Sequence, residues 1–167
     1  MDIFFIRHGI AAERSLYAQD RDRPLTAAGR VKTARIARRL HAIGLKFDLM
    51  LSSPYRRARQ TAEILLAEQL APHYEFCDAL MPGGSWHDWA SWWQQWCALG
   101  DRAEASLALV GHQPSLGNWA ELLVWGRASA KLTVKKAGIV GVRLSPGKGD
   151  PTARGELFLL SAPKWLL

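Results

Sequence analysis

Three short segments of the sequence join an apolar run to residues that can bind or attack a phosphoryl group. "IFFI" is followed directly by Arg7 and His8, "LALV" is followed by Gly111 and His112, and "LMLSS" is followed one helical turn later by Arg57. A guanidinium binds a phosphoryl group through two N–H donors and keeps its charge throughout a reaction. A neutral imidazole has a lone pair that can attack phosphorus. If folding brings these segments together, they predict phosphoryl chemistry.

His8 is the predicted nucleophile. One ring nitrogen of neutral His8 would attack phosphorus while the other donates to a backbone carbonyl, and water would then hydrolyse the covalent phosphohistidine. Arg7 and Arg57 would neutralise the transferred group, and His112 would donate hydrogen bonds to its oxygens. Gly9 would allow close backbone approach. The sequence therefore predicts a catalytic site of His8, Arg7, Arg57 and His112, with Gly9 binding phosphate beside them.

Other basic residues near these segments are less well supported as members of the site. Arg23, in "DRPLT", lies between two site segments, and we expect it to contact phosphate or substrate. Arg56 and Arg59 are expected to be solvated charges on a helix face, although Arg56 adjoins the site and could assist. The default interpretation as ordinary surface or core residues is kept for the remaining histidines, His41, His73 and His87.

Alternating strand and helix signals predict the elements that position these residues. Strands are predicted at 3–6, 48–53, 74–77, 107–110, 138–144 and 156–162. Helices are predicted from a cap at Thr26 to Gly44, from Pro54, over 85–98, and from Pro114 to Trp125. This alternation indicates an α/β fold, a three-layer α/β/α sandwich whose mostly parallel central sheet is flanked by helices. Ligands of such sheets bind beyond the carboxyl ends of the strands, so three polar strand ends would meet at one edge.

Length and composition favour a single globular domain over residues 1–167, with a turn at 145–155 rather than a linker. Hydrophobic residues make up 49% and charged residues 22%, which excludes a wholly disordered chain. We find no apolar run of membrane-spanning length and no leader-like N-terminus, so we expect a cytoplasmic protein without a membrane partner. Cys77 and Cys97 have no metal-binding spacing, which fits a reducing compartment.

The positive charge is concentrated in the first third of the chain. The net charge is +7, and residues 1–60 contain 13 Lys and Arg against 5 Asp and Glu. Such a field attracts an anion, either a phosphorylated ligand or a nucleic acid. Part of the excess is expected to be a solvated helix face formed by Arg30, Lys32, Arg35, Arg38 and Arg39. No nucleic-acid motif is recognisable, so a nucleic acid is not favoured, but a non-catalytic module that binds nucleic acid or a phosphopeptide stays open.

Four ordered segments resemble the histidine phosphatase superfamily, which includes the phosphoglycerate mutases: "IRHG", "RPLTAAG", "SSPYRRARQTAEIL" and "GHQP". The compact length and the "RPLT" segment resemble the SixA-type phosphohistidine phosphatases. The resemblance implies a phosphoglycerate mutase-like fold, His8 as the phosphorylated nucleophile, and a phosphate pocket completed by Arg7, Arg57 and His112. It also implies that Arg23 contacts the substrate side and that no metal or other cofactor is required.

One departure from the superfamily bears on the substrate. Members that cleave ordinary phosphate esters resemble one another in a glutamate two residues after a leucine, and Pro82 stands at that position here. An alkoxide leaving group needs a proton donor, whereas the imidazole of a phosphohistidine leaves readily. The expected substrate is therefore a protein phosphohistidine, as in a phosphorelay domain. Asp78, His87 or Asp88 could replace the missing acid, and the alternative is a phosphomonoesterase for small phosphorylated metabolites. A mutase is not favoured, because the chain is too short for enclosing insertions.

Five of the eight tryptophans lie in "SWHDWASWWQQWC" at 85–97. At helical spacing, Trp86, Trp89, Trp92, Trp93 and Trp96 fall within an arc of about 120°. This stripe is expected to pack the helix onto the core. A docking surface for a partner protein is the alternative, since exposed aromatic residues mark interfaces.

Overall fold

The computed structural model describes residues 1–145 and 149–167, so residues 146–148 of the predicted 145–155 turn lie outside the described residues. Six strands are present in the described part: β1 (Asp2–Arg7), β2 (Leu49–Ser52), β3 (Tyr74–Phe76), β4 (Ser106–Gly111), β5 (Ile139–Leu144) and β6 (Gly155–Ser161). The α-helices there are α1 (Ala27–Ala42), α2 (Arg56–Ala67), α3 (Trp86–Ala98) and α4 (Ser115–Trp125). None of these helices is both long and apolar enough to cross a membrane.

The strands form one sheet in the order β3-β2-β4-β1-β5-β6. The pairings of β2 with β3, β2 with β4, and β1 with β4 are parallel. β5 runs antiparallel to β1, and β6 runs antiparallel to β5. The predicted α/β class and the mostly parallel sheet are thus confirmed, and β1, β4 and β2 lie side by side with their carboxyl ends at one edge.

Alternate residues of β1 divide the core between the two faces of the sheet, because successive side chains of a strand point to opposite faces. Ile3 and Phe5 belong to a buried cluster that includes Leu116 of α4 and residues of α3. Phe4 and Ile6 belong to a second cluster that includes residues of α1 and α2. Helices therefore cover both faces, which gives the three predicted layers.

Local sequence signals set the ends of the helices that flank the site. The Thr26 hydroxyl accepts a hydrogen bond from the Gly29 N–H at 2.9 Å, as an N-cap residue does. α1 ends just before Gly44, whose φ of +83° suits glycine. α2 begins at Arg56 rather than at Pro54, because Tyr55 is extended and caps the helix.

The tryptophan stripe of α3 packs on the core. Trp89 and Trp93 are buried, and Trp86, Trp92 and Trp96 are partly buried against the same cluster. The Trp89 ring also contacts Trp119 of α4, with their centroids 5.7 Å apart. The core interpretation of the stripe is confirmed.

Candidate active site

The register of β1 and β4 places His8 beside His112. Arg7 pairs with Gly111 at the carboxyl ends of these two strands, and the His8 N–H donates to the Gly111 carbonyl at 3.1 Å. Both imidazoles leave the sheet at the same edge, and their ring centroids are 5.0 Å apart. Both side chains are buried. The structure therefore brings together two histidines that are far apart in sequence.

Hydrogen bonds fix the orientation and the protonation of the His8 ring. Nδ1 lies 2.7 Å from the Gly9 carbonyl oxygen, which can only accept, so Nδ1 carries the proton. The Nε–H of Arg57 donates to Nε2 at 3.2 Å, so Nε2 holds the lone pair. Burial is the largest cause that lowers the pKa of His8 to about 3; the Gly9 hydrogen bond opposes it, and the charges of Arg57, Arg7 and Lys136 add to it. His8 is thus neutral at neutral pH, and the lone pair of its ring is on Nε2.

His112 is held by Ser53, the residue that follows β2. Its Nε2 lies 2.9 Å from the hydroxyl of Ser53, and the Ser53 N–H donates to the Val110 carbonyl at 2.9 Å. Burial, together with the nearby His8 and Arg57, lowers the pKa of His112 to about 2. Its Nδ1 is buried without a hydrogen-bond partner among the described residues. A second neutral imidazole therefore lies beside His8.

Arg57 enters the site from the first turn of α2 and is 3% exposed. Besides its Nε bond to His8, it donates from Nη1 to the Asp20 carbonyl and from Nη2 to the Asp20 carboxylate, each at 2.9 Å. Its guanidinium carbon lies 5.1 Å from the centroid of the Tyr55 ring. The Arg57 guanidinium is therefore fixed by His8, Asp20 and the Tyr55 ring.

Arg7 ends β1 and lies against the loop that precedes β5. Its Nη1 donates to the Val134 carbonyl at 2.9 Å, and the Ala137 N–H approaches the Arg7 and His8 carbonyls at 3.0 and 3.1 Å. The Arg7 Nε is buried without a partner among the described residues. Burial first, and then the charge of Arg57, lower the pKa of Arg7, so the two guanidiniums are close enough to interact.

Gly9 was predicted to allow a close approach to phosphate, and the structure shows it packed closely against α1 and α2. The Gly9 N–H donates to the Thr61 hydroxyl at 3.1 Å. A Cβ added at Gly9 would lie 2.4 Å from the Thr33 hydroxyl oxygen and 3.2 Å from Leu25 Cδ2. Its contact with phosphate stays a prediction.

Arg23 lies at the border of the site, where it binds Asp20. Its Nε is 2.9 Å from an Asp20 carboxylate oxygen, and its Nη1 donates to the Ala12 carbonyl at 3.0 Å. Its contact with phosphate or substrate stays a prediction. Asp20 was not singled out from the sequence. The sequence feature that could have indicated Asp20 is its place three residues before Arg23 in an arginine-rich segment.

The residues expected to lie outside the site do so. Arg56 is exposed, and Arg59 pairs with Glu63 on α2 at 3.3 Å. His41, His73 and His87 are exposed. On α1, Arg30, Arg35, Arg38 and Arg39 are exposed and Lys32 is partly exposed, as the solvated basic face requires.

Three side chains are the candidates for the missing acid. Asp78, His87 and Asp88 are exposed, and within the described ranges no hydrogen bond or ion pair joins them to His8, His112, Arg7 or Arg57. In the part of the chain that the structure describes, no group of three or more His, Cys, Asp or Glu could hold a metal ion. Cys77 and Cys97 are free, and burial raises the pKa of both thiols.

Residues 3–99 match the model of the histidine phosphatase superfamily, branch 1. The chain belongs to this superfamily. An uncharacterized protein of Picosynechococcus sp. is 48% identical over 167 residues, which cover 100% of this chain and 99% of that relative.

Solved structures with the same fold superpose on nearly the whole of this chain. The protein histidine phosphatase SixA complexed with tungstate has a TM-score of 0.82 and 28% identity, with 100% of both chains covered. The alpha-ribazole phosphatase from Shigella flexneri has a TM-score of 0.69 and 18% identity, covering 98% of this chain and 97% of that one. These likenesses confirm the predicted phosphoglycerate mutase-like fold, and the first lies closer to this chain than the second.

Proposed function

We propose that this protein hydrolyses phosphohistidine on a protein substrate, without a metal, through a covalent phosphohistidine on Nε2 of His8. The observation that carries the proposal is the fixed protonation of His8. Nδ1 lies 2.7 Å from the Gly9 carbonyl, and the lone pair of Nε2 lies 3.2 Å from the Nε of Arg57. An uncharged nucleophile is thus aimed at a guanidinium, the group that best binds a phosphoryl group.

The first step transfers the phosphoryl group from the substrate to His8. As Nε2 forms a bond to phosphorus, the P–N bond of the substrate breaks and its electron pair returns to the substrate imidazole. The Arg57 Nε–H moves from Nε2 to a phosphoryl oxygen, and the Gly9 carbonyl stabilises the positive charge that develops on the His8 ring. Water then attacks phosphorus, the P–N bond breaks with its electron pair returning to Nε2, and dihydrogen phosphate leaves with the oxygen and both protons of that water.

Two buried polar atoms support an oxyanion at this place. Nε of Arg7 and Nδ1 of His112 have no hydrogen-bond partner among the described residues. Buried polar atoms are rarely left unpaired, and a phosphoryl group would supply three acceptor oxygens. With Arg57, these residues would offset the charge on the transferred group, and Arg23 would add a cation at the border.

A phosphohistidine is favoured over an ester because the superfamily's acid position holds Pro82 and the nearby acids face solvent. The 28% identity to the SixA structure with bound tungstate, another tetrahedral oxyanion, supports the same substrate class. Several exposed residues around the site are basic: Arg14 lies 3.7 Å from Asp20, Arg21 and Arg56 adjoin Asp20 and Arg57 in the sequence, and the charge of Lys136 lowers the pKa of His8. This rim favours a phosphorylated, acidic protein as the partner.

A phosphatase for small phosphorylated metabolites is the second candidate. The observation that favours it is the fold shared with the alpha-ribazole phosphatase from Shigella flexneri. Such an enzyme needs a protonated acid for its alkoxide leaving group, so its kcat would fall as that acid loses its proton. A phosphohistidine phosphatase would show no such loss on its own substrate.

The test compares two substrates and traps the intermediate. The protein is incubated with a ³²P-phosphohistidine-bearing phosphorelay domain and, separately, with p-nitrophenyl phosphate. We expect a higher kcat/KM for the domain and an acid-labile, alkali-stable phosphoenzyme. His8→Ala should abolish turnover and the phosphoenzyme while it retains part of the phosphate binding, and the exposed His73→Ala is the control. Full turnover by His8→Ala would contradict the mechanism, whereas a preference for the ester would favour the second candidate.

A further inference from the structure

Asp20 lies at the centre of the basic groups on one side of the pocket. It begins the short turn Asp20–Asp22, in the connection between β1 and α1. One carboxylate oxygen accepts from Arg57 Nη2 at 2.9 Å, and the other lies 2.9 Å from the Nε of Arg23 and 3.7 Å from that of Arg14. The Asp20 carbonyl also accepts from Arg57 Nη1 at 2.9 Å. This one residue therefore joins three arginines.

The contacts with Asp20 leave one edge of the Arg57 guanidinium for other acceptors. A guanidinium has five N–H donors in a rigid plane. Because Asp20 accepts from both Nη1 and Nη2, it lies at the end of the fork between these two nitrogens. The side edge with Nε then faces Nε2 of His8, 3.2 Å away. A phosphoryl group that reaches Nε2 therefore meets this edge first.

Asp20 remains a carboxylate while it holds this arrangement. Partial burial favours the neutral acid, but the hydrogen bond and the charge of Arg57, followed by the charges of Arg23 and Arg14, lower the pKa of Asp20 overall. Asp20 is thus suited to orienting a cation and poorly suited to donating a proton.

We propose that Asp20 is a positioning residue, which clamps the end of the Arg57 guanidinium so that its Nε edge is aimed at the nucleophilic nitrogen of His8. This inference rests on the proposed function, because it assigns Arg57 to the phosphoryl group that His8 receives. Asp20 acts through Arg57 and does not itself contact the reacting atoms. Its charge also offsets part of the positive charge of the pocket, which would otherwise retain the phosphate product more tightly.

The test is Asp20→Asn, with Asp22→Asn as the matched control. Asp22 lies in the same turn and is exposed, so its substitution removes the same charge without touching Arg57. For Asp20→Asn we expect kcat with p-nitrophenyl phosphate to fall about tenfold or more, because the guanidinium loses its orientation. The inhibition constant for tungstate should not rise, because the pocket gains positive charge. Asp20→Glu keeps the charge but moves the carboxylate, and its kcat should fall too.

A spectroscopic measurement separates this inference from the proposed function. In ¹⁵N NMR spectra of the substrate-free protein, Nε2 of His8 should show the shift of a hydrogen-bonded acceptor, and Asp20→Asn should move that signal while Asp22→Asn should not. If the phosphohistidine domain is not hydrolysed but this signal moves, the substrate proposal fails and the positioning role stands. Two results would overturn the positioning role. One is a kcat of Asp20→Asn within about twofold of wild type. The other is an inhibition constant for tungstate that rises in Asp20→Asn together with a lower melting temperature.

Discussion

His8 and His112 lie one residue beyond a paired position of two neighbouring parallel strands, and their ring centroids are 5.0 Å apart. The main-chain bond from the His8 N–H to the Gly111 carbonyl sets this distance. The spacing of the two imidazoles is therefore a property of the sheet and not of a mobile loop. The same burial that holds the rings also keeps them neutral.

The two buried histidines should make the stability of the protein depend on pH. Burial lowers the pKa of His8 to about 3 and that of His112 to about 2, whereas both rings take up protons below about pH 6.5 in the unfolded chain. The unfolded state then binds more protons, so the free energy of unfolding falls as the pH falls from about 6.5 towards 3. Each ring should contribute a slope of about 1.4 kcal/mol per pH unit.

Urea unfolding between about pH 4 and 7 measures this slope. We expect His8→Asn and His112→Asn each to reduce it by about one proton, and the exposed His41→Asn to leave it unchanged. Equal slopes in all four proteins would show that the rings take up protons in the folded state in spite of their burial.

Replacing Gly9 should disturb the contact between the end of β1 and α1. In Gly9→Ala the new Cβ would lie 2.4 Å from the Thr33 hydroxyl oxygen, so one of the two segments must move. We expect a loss of about 1–3 kcal/mol in the free energy of unfolding, as for other overpacked sites. Calorimetry of the variant measures this loss.

The double variant Gly9→Ala/Thr33→Ala tests the cause. Removing the hydroxyl opens the space for the new methyl group, so the double variant should be more stable than the sum of the two single changes indicates. Additive losses would assign the requirement for Gly9 to another neighbour, such as Leu25.

The sequence predicted the strand ends well because apolar runs that stop at Arg, His or Gly carry a local signal. The parallel order of β1, β4 and β2 then brought His8, His112 and Arg57 together, as the alternating pattern indicated. Asp20 was missed because an acid in an arginine-rich loop has no periodicity to reveal its partners. The Val134 carbonyl that binds Arg7 was missed because a main-chain acceptor is present at every residue.

Glu121 on α4 organises the loop that carries Val134. It is fully buried, and its carboxylate accepts from the backbone N–H groups of residues 129–132 and from the Ser129 hydroxyl. Gln113 continues the connection, donating to the Leu132 carbonyl at 3.0 Å and accepting from the Val134 N–H at 3.2 Å. The Arg7 guanidinium is thus held indirectly by a buried acid.

Glu121→Gln should therefore weaken both the fold and the site. The amide has no charge and turns two donor hydrogens towards N–H groups, so we expect a loss of about 3 kcal/mol in the free energy of unfolding. Burial favours the neutral acid, but the backbone N–H groups outweigh it and lower the pKa of Glu121 to about 2. The stabilisation is thus present above about pH 4.5 and is lost as the pH falls towards 2.

Urea unfolding and tungstate inhibition measure the two effects of Glu121→Gln, with the exposed Glu104→Gln as control. We expect the inhibition constant for tungstate to rise because Arg7 loses its fixed position. An unchanged free energy of unfolding would contradict the stabilising role of the Glu121 carboxylate. An unchanged inhibition constant would show that the loop does not fix the position of the Arg7 guanidinium.

Fluorescence quenching should show that the tryptophan stripe of α3 is protected from solvent. Trp125 and Trp165 are 53% and 76% exposed, whereas the indoles of α3 are buried or partly buried against the core. In Trp125→Phe/Trp165→Phe, the remaining emission comes from the α3 residues and the buried Trp119, so the acrylamide quenching constant should fall well below that of wild type. The urea-unfolded double variant supplies the upper limit, because all its indoles are then accessible. Quenching of the folded double variant near that limit would mean that α3 exposes its indoles, and the helix would then be available for docking a partner instead of covering the sheet.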